Sequence, residues 1–400
     1  MPTVLPIYFD NNATTPTDPR IAEVIVKFMT REFGNASSVD HIFGERAREA
    51  VEKARDEVRS LLGAHQSDRV IFTSGATESI NLGLKGLALK YREVGGGRPL
   101  RVGLLPVEHP AVLDTIDYLV KQGEAERVFF EVDQKGRVDL DSVWEKCSRG
   151  LDVVCVMAAQ NEIGNIYPIK VAACIAKEKG ALFFTDATQA VGKSELSFDD
   201  WNLDLLALSA HKIYGPKGVG ALIVKQGLAL HPLFHGGRHQ DGLRSGTLNV
   251  PGIVGFGEAS KFRIKEWEQD EKMIASLRDR FQSMLTNNID GVSVNGDQEH
   301  RLSGNLNVSI KGVPNRALVG HLRNKLALST GAACSSGIEA PSYVLRCLGL
   351  SKDILDSAVR FGIGKFNTGA EVESATMLVL GCVQYIRRKL NDVVPVSVLR

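Results

Sequence analysis

Short apolar runs alternate with amphipathic helical patterns along the first two thirds of this 400-residue chain, and no other feature restricts the fold as strongly. The runs are 70–72, 151–157, 181–184, 203–208 and 219–224, each bounded by turn residues or helical segments. Residues 20–31 and 45–62 carry helical periodicity, the second with many Glu/Arg pairs at helical spacing. Strands that are apolar throughout and separated by helices predict a mostly parallel sheet covered on both faces, an α/β architecture. In such a sheet ligands bind beyond the carboxyl ends of the strands. Functional side chains are therefore expected just after these runs.

Beyond residue 257 the texture changes. A long charged helix from 258 to about 285 leads to an apolar strand at 306–310, a helix, a loop of small residues and further helices. The chain is long for a single core. The expected division is a large domain over 15–257 and a smaller α+β domain built from 1–14 and 258–400.

Four strand ends carry candidate chemistry. Phe72-Thr73-Ser74-Gly75-Ala76-Thr77-Glu78-Ser79 is a strand, a glycine turn and a helix start, where free N–H groups and the helix dipole suit a phosphate. No Gly-Lys-Ser/Thr follows, so it is not a P-loop, and an ordinary N-cap explains it equally well. Phe183-Phe184-Thr185-Asp186-Ala187-Thr188-Gln189 puts an acid at a buried strand end, where it needs a cation or donors. A protonated pyridine nitrogen would satisfy Asp186, and Gln189 lies one turn on; a capping Asp is the plain alternative. Lys212 follows at the end of the next run, in Leu208-Ser209-Ala210-His211-Lys212. A buried lysine there has a lowered pKa suited to Schiff-base chemistry, whereas an isolated one reads as a surface lysine. Pro106-Val107-Glu108-His109-Pro110 places an imidazole at a fourth strand end, able to stack on a ring and move protons, or simply to serve the structure.

Taken together these segments resemble the class V, aminotransferase-like pyridoxal-phosphate (PLP) family, and within it the group I (NifS-like) cysteine desulfurases. The resemblance also rests on Asp10-Asn11-Asn12-Ala13-Thr14-Thr15-Pro16, Asn161-Glu162-Ile163-Gly164 and Arg244-Ser245-Gly246-Thr247. It implies the aspartate aminotransferase-like fold (fold type I) and PLP as cofactor. Lys212 would be the Schiff-base lysine, Asp186 the pyridinium partner and His109 the stacking residue. Asn161 and Gln189 would face the phenolic oxygen. Ala76, Thr77, Ser209 and His211 would hold the phosphate, joined by Thr247 from the other subunit of a homodimer. Arg360, in Val359-Arg360-Phe361-Gly362, would bind the substrate carboxylate as a planar fork.

The sulfur acceptor is expected to be Cys334. Its surroundings, Ser329 to Gly337, are too small to pack a core, which predicts an exposed, mobile loop. From the local residues alone, a loop cysteine without a task fits as well. In the resembled family a small-residue loop bearing the nucleophilic cysteine precedes Pro-Ser-Tyr-Val-Leu-Arg, and here Pro341-Ser342-Tyr343-Val344-Leu345-Arg346 follows. The implied reaction converts L-cysteine to L-alanine, leaves a persulfide on Cys334 and delivers its sulfur to a protein acceptor. His109 would exchange protons with the thiols. Selenocysteine lyase or another class V PLP aminotransferase-like enzyme is the alternative within the fold, and a non-catalytic thiol-carrier or adaptor subunit that retains only the fold is the alternative of a different class.

The other cysteines read as structural, with Cys155, Cys174 and Cys382 expected to be buried and no role given to Cys147 or Cys347. No CxxC pair is present, so neither a zinc site nor a disulfide framework is expected. His231, His235 and His239 lie four apart, but Pro232 and Gly236-Gly237 interrupt any helix that would align them. Gly215 to Gly220 enters a strand instead of opening a helix, against a dinucleotide loop. With 48 basic and 47 acidic residues there is no excess charge for nucleic acid. The absence of a leader pattern or an apolar run of roughly 18 residues predicts a cytoplasmic protein off the membrane.

Overall fold

The computed structural model describes residues 6–94, 97–331 and 342–393. Cys334 therefore lies outside the described residues.

The chain opens with β1 (Ile7–Tyr8), then helices α1 (Pro19–Thr30) and α2 (Ile42–Leu61). Next come β2 (Arg69–Thr73), α3 (Ala76–Val94), β3 (Leu100–Leu104), α4 (Pro110–Lys121), β4 (Ala125–Phe129) and α5 (Leu140–Ser148). β5 (Val153–Cys155), α6 (Ile169–Glu178), β6 (Leu182–Asp186), β7 (Leu205–Ser209) and β8 (Gly220–Val224) complete the large sheet. Its seven strands run in the order β2-β8-β7-β6-β5-β3-β4, with only β8 opposed to its neighbours.

The continuous apolar runs follow from burial on both faces. Successive side chains of a strand point to opposite sides, so Leu206 and Leu208 enter one core while Leu205 and Ala207 enter the other. Val154 and Val153, and Phe183 and Phe184, divide in the same way. Sequence position predicts all five runs as strands. The edge strand β4 escapes that reading because Glu126 and Arg127 are exposed and break the apolar pattern.

The remaining elements are α7 (Val250–Asn288), β9 (Val292–Val294), β10 (Asn305–Ile310), α8 (Asn315–Leu322), β11 (Leu326–Ala327), α9 (Tyr343–Cys347), α10 (Lys352–Ser357), β12 (Ala358–Gly362) and α11 (Gly369–Val393). β12, β10 and β9 form an antiparallel sheet, and β1 pairs in parallel with β11. A third core gathers here, with Phe281 edge-on to both Phe9 (5.4 Å between ring centres) and Phe361 (4.9 Å). The expected boundary at residue 257 falls inside α7. That helix packs Phe256 and Ala259 against the large sheet and Ile274, Phe281 and Leu285 in the third core.

One cysteine departs from expectation: Cys174 is exposed on α6, whereas Cys155 and Cys382 are buried as the pattern predicts. The helical face explains it, since Ala172, Ala173 and Ala176 take the inward positions. His231 and His235 have ring centres 6.2 Å apart, while His239 accepts from the Gly246 N–H at 3.2 Å. Among the described residues no group of three His, Cys, Asp or Glu side chains could hold a metal.

Because β8 runs against the others, its first residue arrives at the edge where β2 and β7 end. Gly220 is paired with both Thr73 and Ser209. A Cβ on Gly220 would stand 2.5 Å from the Leu208 carbonyl oxygen and 2.7 Å from Gly75 Cα. Neither neighbour is a side chain that can rotate away. Gly220→Ala should therefore cost about 1–3 kcal/mol of stability, as overpacked sites do, read as a lower denaturant midpoint at unchanged slope. A midpoint equal to that of the unmutated protein would show that the edge has slack.

Candidate active site

Five strands deliver their functional ends to one edge. Asp186 is the last residue of β6 and is buried. Lys212 closes a single 3₁₀ turn, Ala210–Lys212, directly after β7. β6 and β7 are parallel neighbours, with Asp186 opposite Ala207. Asp186, Lys212, His109, Asn161, Gln189, Ala76, Thr77, Ser209, His211 and Arg360 all line one cavity of about 550 Å³. Ten of the twelve predicted site residues are thus brought together. Thr247 is exposed and does not line the cavity of its own chain; Cys334 is outside the described residues.

The lysine is held by a segment that carries no role in the sequence reading. Lys212 Nζ donates to the carbonyl oxygens of Asn12 and Ala13, both at 2.6 Å. The Asn12 carbonyl also accepts from Gln189 Nε2 at 2.9 Å. Thr14 Oγ1 is 3.0 Å from His211 Nδ1, and Asp10 Oδ1 accepts from Arg360 Nη2 at 2.8 Å. One turn therefore touches the lysine, the amide, the histidine and the arginine. Its Asp-Asn-Asn-Ala-Thr-Thr motif was visible, but its use of backbone carbonyls leaves no mark on residue type.

Where α3 begins, Ser74, Gly75, Ala76 and Thr77 line the same cavity as His211, Lys212 and Lys217. Gly75 has φ +157°, in the region open mainly to glycine, and this turns the chain from β2 into α3. Glu78, in the first turn of α3, accepts from Ser74 N (2.7 Å) and Arg244 Nε (2.8 Å), which fixes the turn. Burial, followed by Lys212, Lys217 and Lys193, pushes His211 down to about 4. At neutral pH it is an uncharged imidazole.

His109 caps α4, with Nδ1 accepting from Ala111 N at 3.1 Å. Burial lowers its pKa, Asp186 opposes that shift and Lys212 adds to it. The neighbouring Glu108 is fully enclosed and accepts from Met157 N at 2.7 Å; burial pushes its carboxyl well above the usual range. Arg360, buried in β12, donates from Nη1 to the Asn161 carbonyl at 3.0 Å besides its Asp10 bond. Three buried polar atoms on the cavity's residues have no hydrogen-bond partner: Asn161 Oδ1, Thr188 Oγ1 and Arg360 Nε. Such orphans are rare in a finished core and mark a place where a polar ligand completes the bonding. A buried acid, a helix start with nearby cations and a lysine lining one cavity fit a phosphorylated pyridine aldehyde.

Glu162, beside Asn161, is a further residue that no sequence signal marks. It is buried, accepts from Ser342 Oγ at 2.5 Å, and would be met at 2.7 Å by a Cβ placed on Gly331. Tyr343 Oη, one residue on, donates to the Glu108 carbonyl. The loops that present His109 and Asn161 thus also hold the start of α9.

Residues 7–374 match the family model described as aminotransferase class-V. The cysteine desulfurase IscS of Anaeromyxobacter dehalogenans (strain 2CP-C) is 44% identical over 393 residues, covering 98% of this chain and 95% of that one. Among solved structures, a NifS-like protein superposes with a TM-score of 0.86 at 34% identity, over 95% of this chain and all of the other. A structure described as SspA in complex with cysteine gives 0.78 at 30% identity, over 90% of this chain and all of that one.

Glu162 supplies a test of the site's electrostatics. Burial raises its carboxyl to about 7, against the Ser342 bond and Arg360. A raised folded-state value favours protonation in the native protein, so the stability it contributes is full below the unfolded value and disappears as pH rises through 7. Relative to the unmutated protein, Glu162→Gln should gain stability between pH 5 and 8. Denaturant melts across that window check it, and a pH-independent difference would place the Glu162 titration elsewhere.

Proposed function

The chain belongs to the class-V aminotransferase family, and from that premise we propose that it is a PLP-dependent cysteine desulfurase. It takes L-cysteine to L-alanine and passes the sulfur through Cys334 to an acceptor protein. The observation that carries this reading is the placement of Asp186 and Lys212 at adjacent strand ends, in a cavity where three buried polar atoms lack partners.

The cofactor, when bound, supplies an electron sink for the pair left after α-proton removal. Asp186 would hold the ring nitrogen and keep it cationic. Asn161 and Gln189 would hold the phenolic oxygen, and the α3 start with Thr77, Ser209 and His211 would hold the phosphate. Lys212 Nζ carries the α-proton away from the substrate; the two carbonyls that hold it at rest also limit where it can swing. His109 would stack on the ring and exchange protons with the thiols through Nε2, which carries the hydrogen of the neutral imidazole because Nδ1 accepts from Ala111 N. Arg360 takes the substrate carboxylate with Nε and the N–H groups not used by Asp10 and Asn161. The Cys334 thiolate attacks the substrate sulfur; the S–S bond forms as the C–S bond breaks, and the carbon keeps the electron pair and takes a proton.

The two-domain division belongs to the same reading. Arg360, Cys334 and the N-terminal strand lie on a smaller unit with its own core, and the lysine and acid lie on a larger one. Thr247 completes the phosphate site from the second subunit of a homodimer, consistent with its exposure here. The acceptor serves iron–sulfur assembly, tRNA thiolation or DNA phosphorothioation. No helix of the described residues is long and apolar enough to cross a membrane, and the proposed compartment is the cytoplasm.

Purified protein should be yellow and bleach with borohydride, with the reduced label on Lys212. Cys334→Ser should keep the colour but lose persulfide and alanine formation by roughly 10³-fold or more, the scale seen when a nucleophile is removed. Full alanine production by that variant would reject Cys334 as the acceptor. A colourless protein that takes up no added PLP would reject the whole reading.

A further inference from the structure

Gln189 reaches the cavity with a side chain that can be placed two ways round, since a carboxamide has a donor end and an acceptor end. Its orientation is fixed from both sides. The Asn12 carbonyl is an acceptor only, so the nitrogen 2.9 Å from it must be Nε2. At the other end Lys193 Nζ, a donor only, stands 3.4 Å from Oε1. A flipped carboxamide would set oxygen against oxygen and NH₂ against ammonium.

Lys193 sits among charges brought by α7. Arg263, itself wholly buried, donates to Gly192 O and pairs with Asp270 (2.6 Å) and Glu271 (2.9 Å). Burial lowers Lys193 to about 8, Glu271 opposing and Arg263 adding to the shift; His211 feels Lys193 from the cavity side. The Asn12 carbonyl that receives Gln189 also receives Lys212 Nζ at 2.6 Å. A continuous polar line therefore runs from Lys193 through Gln189 and the Asn12 carbonyl to Lys212.

We propose that Lys193 is a positioning residue for the cofactor: by holding Gln189 Oε1 it turns the amide's second N–H toward the ring's phenolic oxygen and keeps the Asn12 carbonyl available to Lys212. The proposal rests on the cofactor reading given above. Lys193 touches neither substrate nor cavity and acts only through Gln189.

A double-mutant cycle tests it on the dimension of PLP affinity, measured by visible absorbance as apo-protein is reconstituted with PLP. Lys193→Met should raise the dissociation constant about fivefold, the scale of one long charge-assisted hydrogen bond. Gln189→Leu should raise it at least as much, and the double variant should be no weaker than Gln189→Leu alone. As pH rises through 8 and Lys193 loses its proton, the gap between the unmutated protein and Lys193→Met should narrow. If Lys193→Met multiplies the constant equally in both backgrounds, or leaves it unchanged, Lys193 does not act through Gln189. Should Lys193→Met fail to fold, Lys193→Ala, which also removes the donor, enters the same cycle under the same criteria. Failure of the unmutated protein to take up PLP would overturn the cofactor reading instead, so the two failures are distinct.

Discussion

A lysine amine at the half-buried edge of a sheet needs hydrogen-bond acceptors from the protein, and the carbonyls of Asn12 and Ala13 supply them to Lys212. Much else in the structure depends on that arrangement. The turn carrying those carbonyls must be rigid, and it is held at both ends. On one side β1 pairs with β11 and Asp10 bridges Gly362, tying it to the smaller sheet. On the other, Thr15 binds the His211 carbonyl through both its N–H (3.0 Å) and its hydroxyl (2.9 Å), tying it to the turn that bears the lysine. The first residues of the chain thereby join the small sheet to the strand ends of the large one.

The site sits where it does because of strand direction. Parallel strands place their carboxyl ends at one edge, which gathers Thr73, Asp186 and Ser209 without any long-range design of the individual residues. The single reversed strand, β8, lets the chain return from the lysine turn straight back through the sheet. It also brings Gly220 to the edge, where the lack of a side chain allows the Gly75 turn to close in. The phosphate corner is thus as much a product of two glycines as of the helix start.

Most of the large sheet was legible because both its faces are buried, so that hydrophobicity marked β2, β5, β6, β7 and β8 without alternation, whereas β3, interrupted by Arg101 and Gly103, was not among the runs. β4 was not, since an edge strand half in water keeps its charges. The acid, the lysine and the histidine could be read because each is a costly residue at a strand end. Carbonyl groups have no such signature. The Asn12–Ala13 cradle, the Asn161 carbonyl under Arg360 and the Glu108 carbonyl under Tyr343 are invisible in the residue types that supply them. Glu162 and Lys193 were missed for a related reason: a charged residue in a polar-looking segment reads as solvent-facing until the packing from α7, or from the start of α9, is known. Cys174 went the other way, since a cysteine among alanines says nothing about which helical face it takes.

Arg360 shows how the two sheets share the chemistry. Its guanidinium is buried in the small sheet yet opens onto the large sheet's cavity, already paired with Asp10 and the Asn161 carbonyl. A guanidinium left alone there would cost more than one already matched by a carboxylate. Asp10 belongs to the same turn that supplies the Asn12 and Ala13 carbonyls to Lys212. The guanidinium and the lysine are in this way held by one four-residue stretch, 10–13.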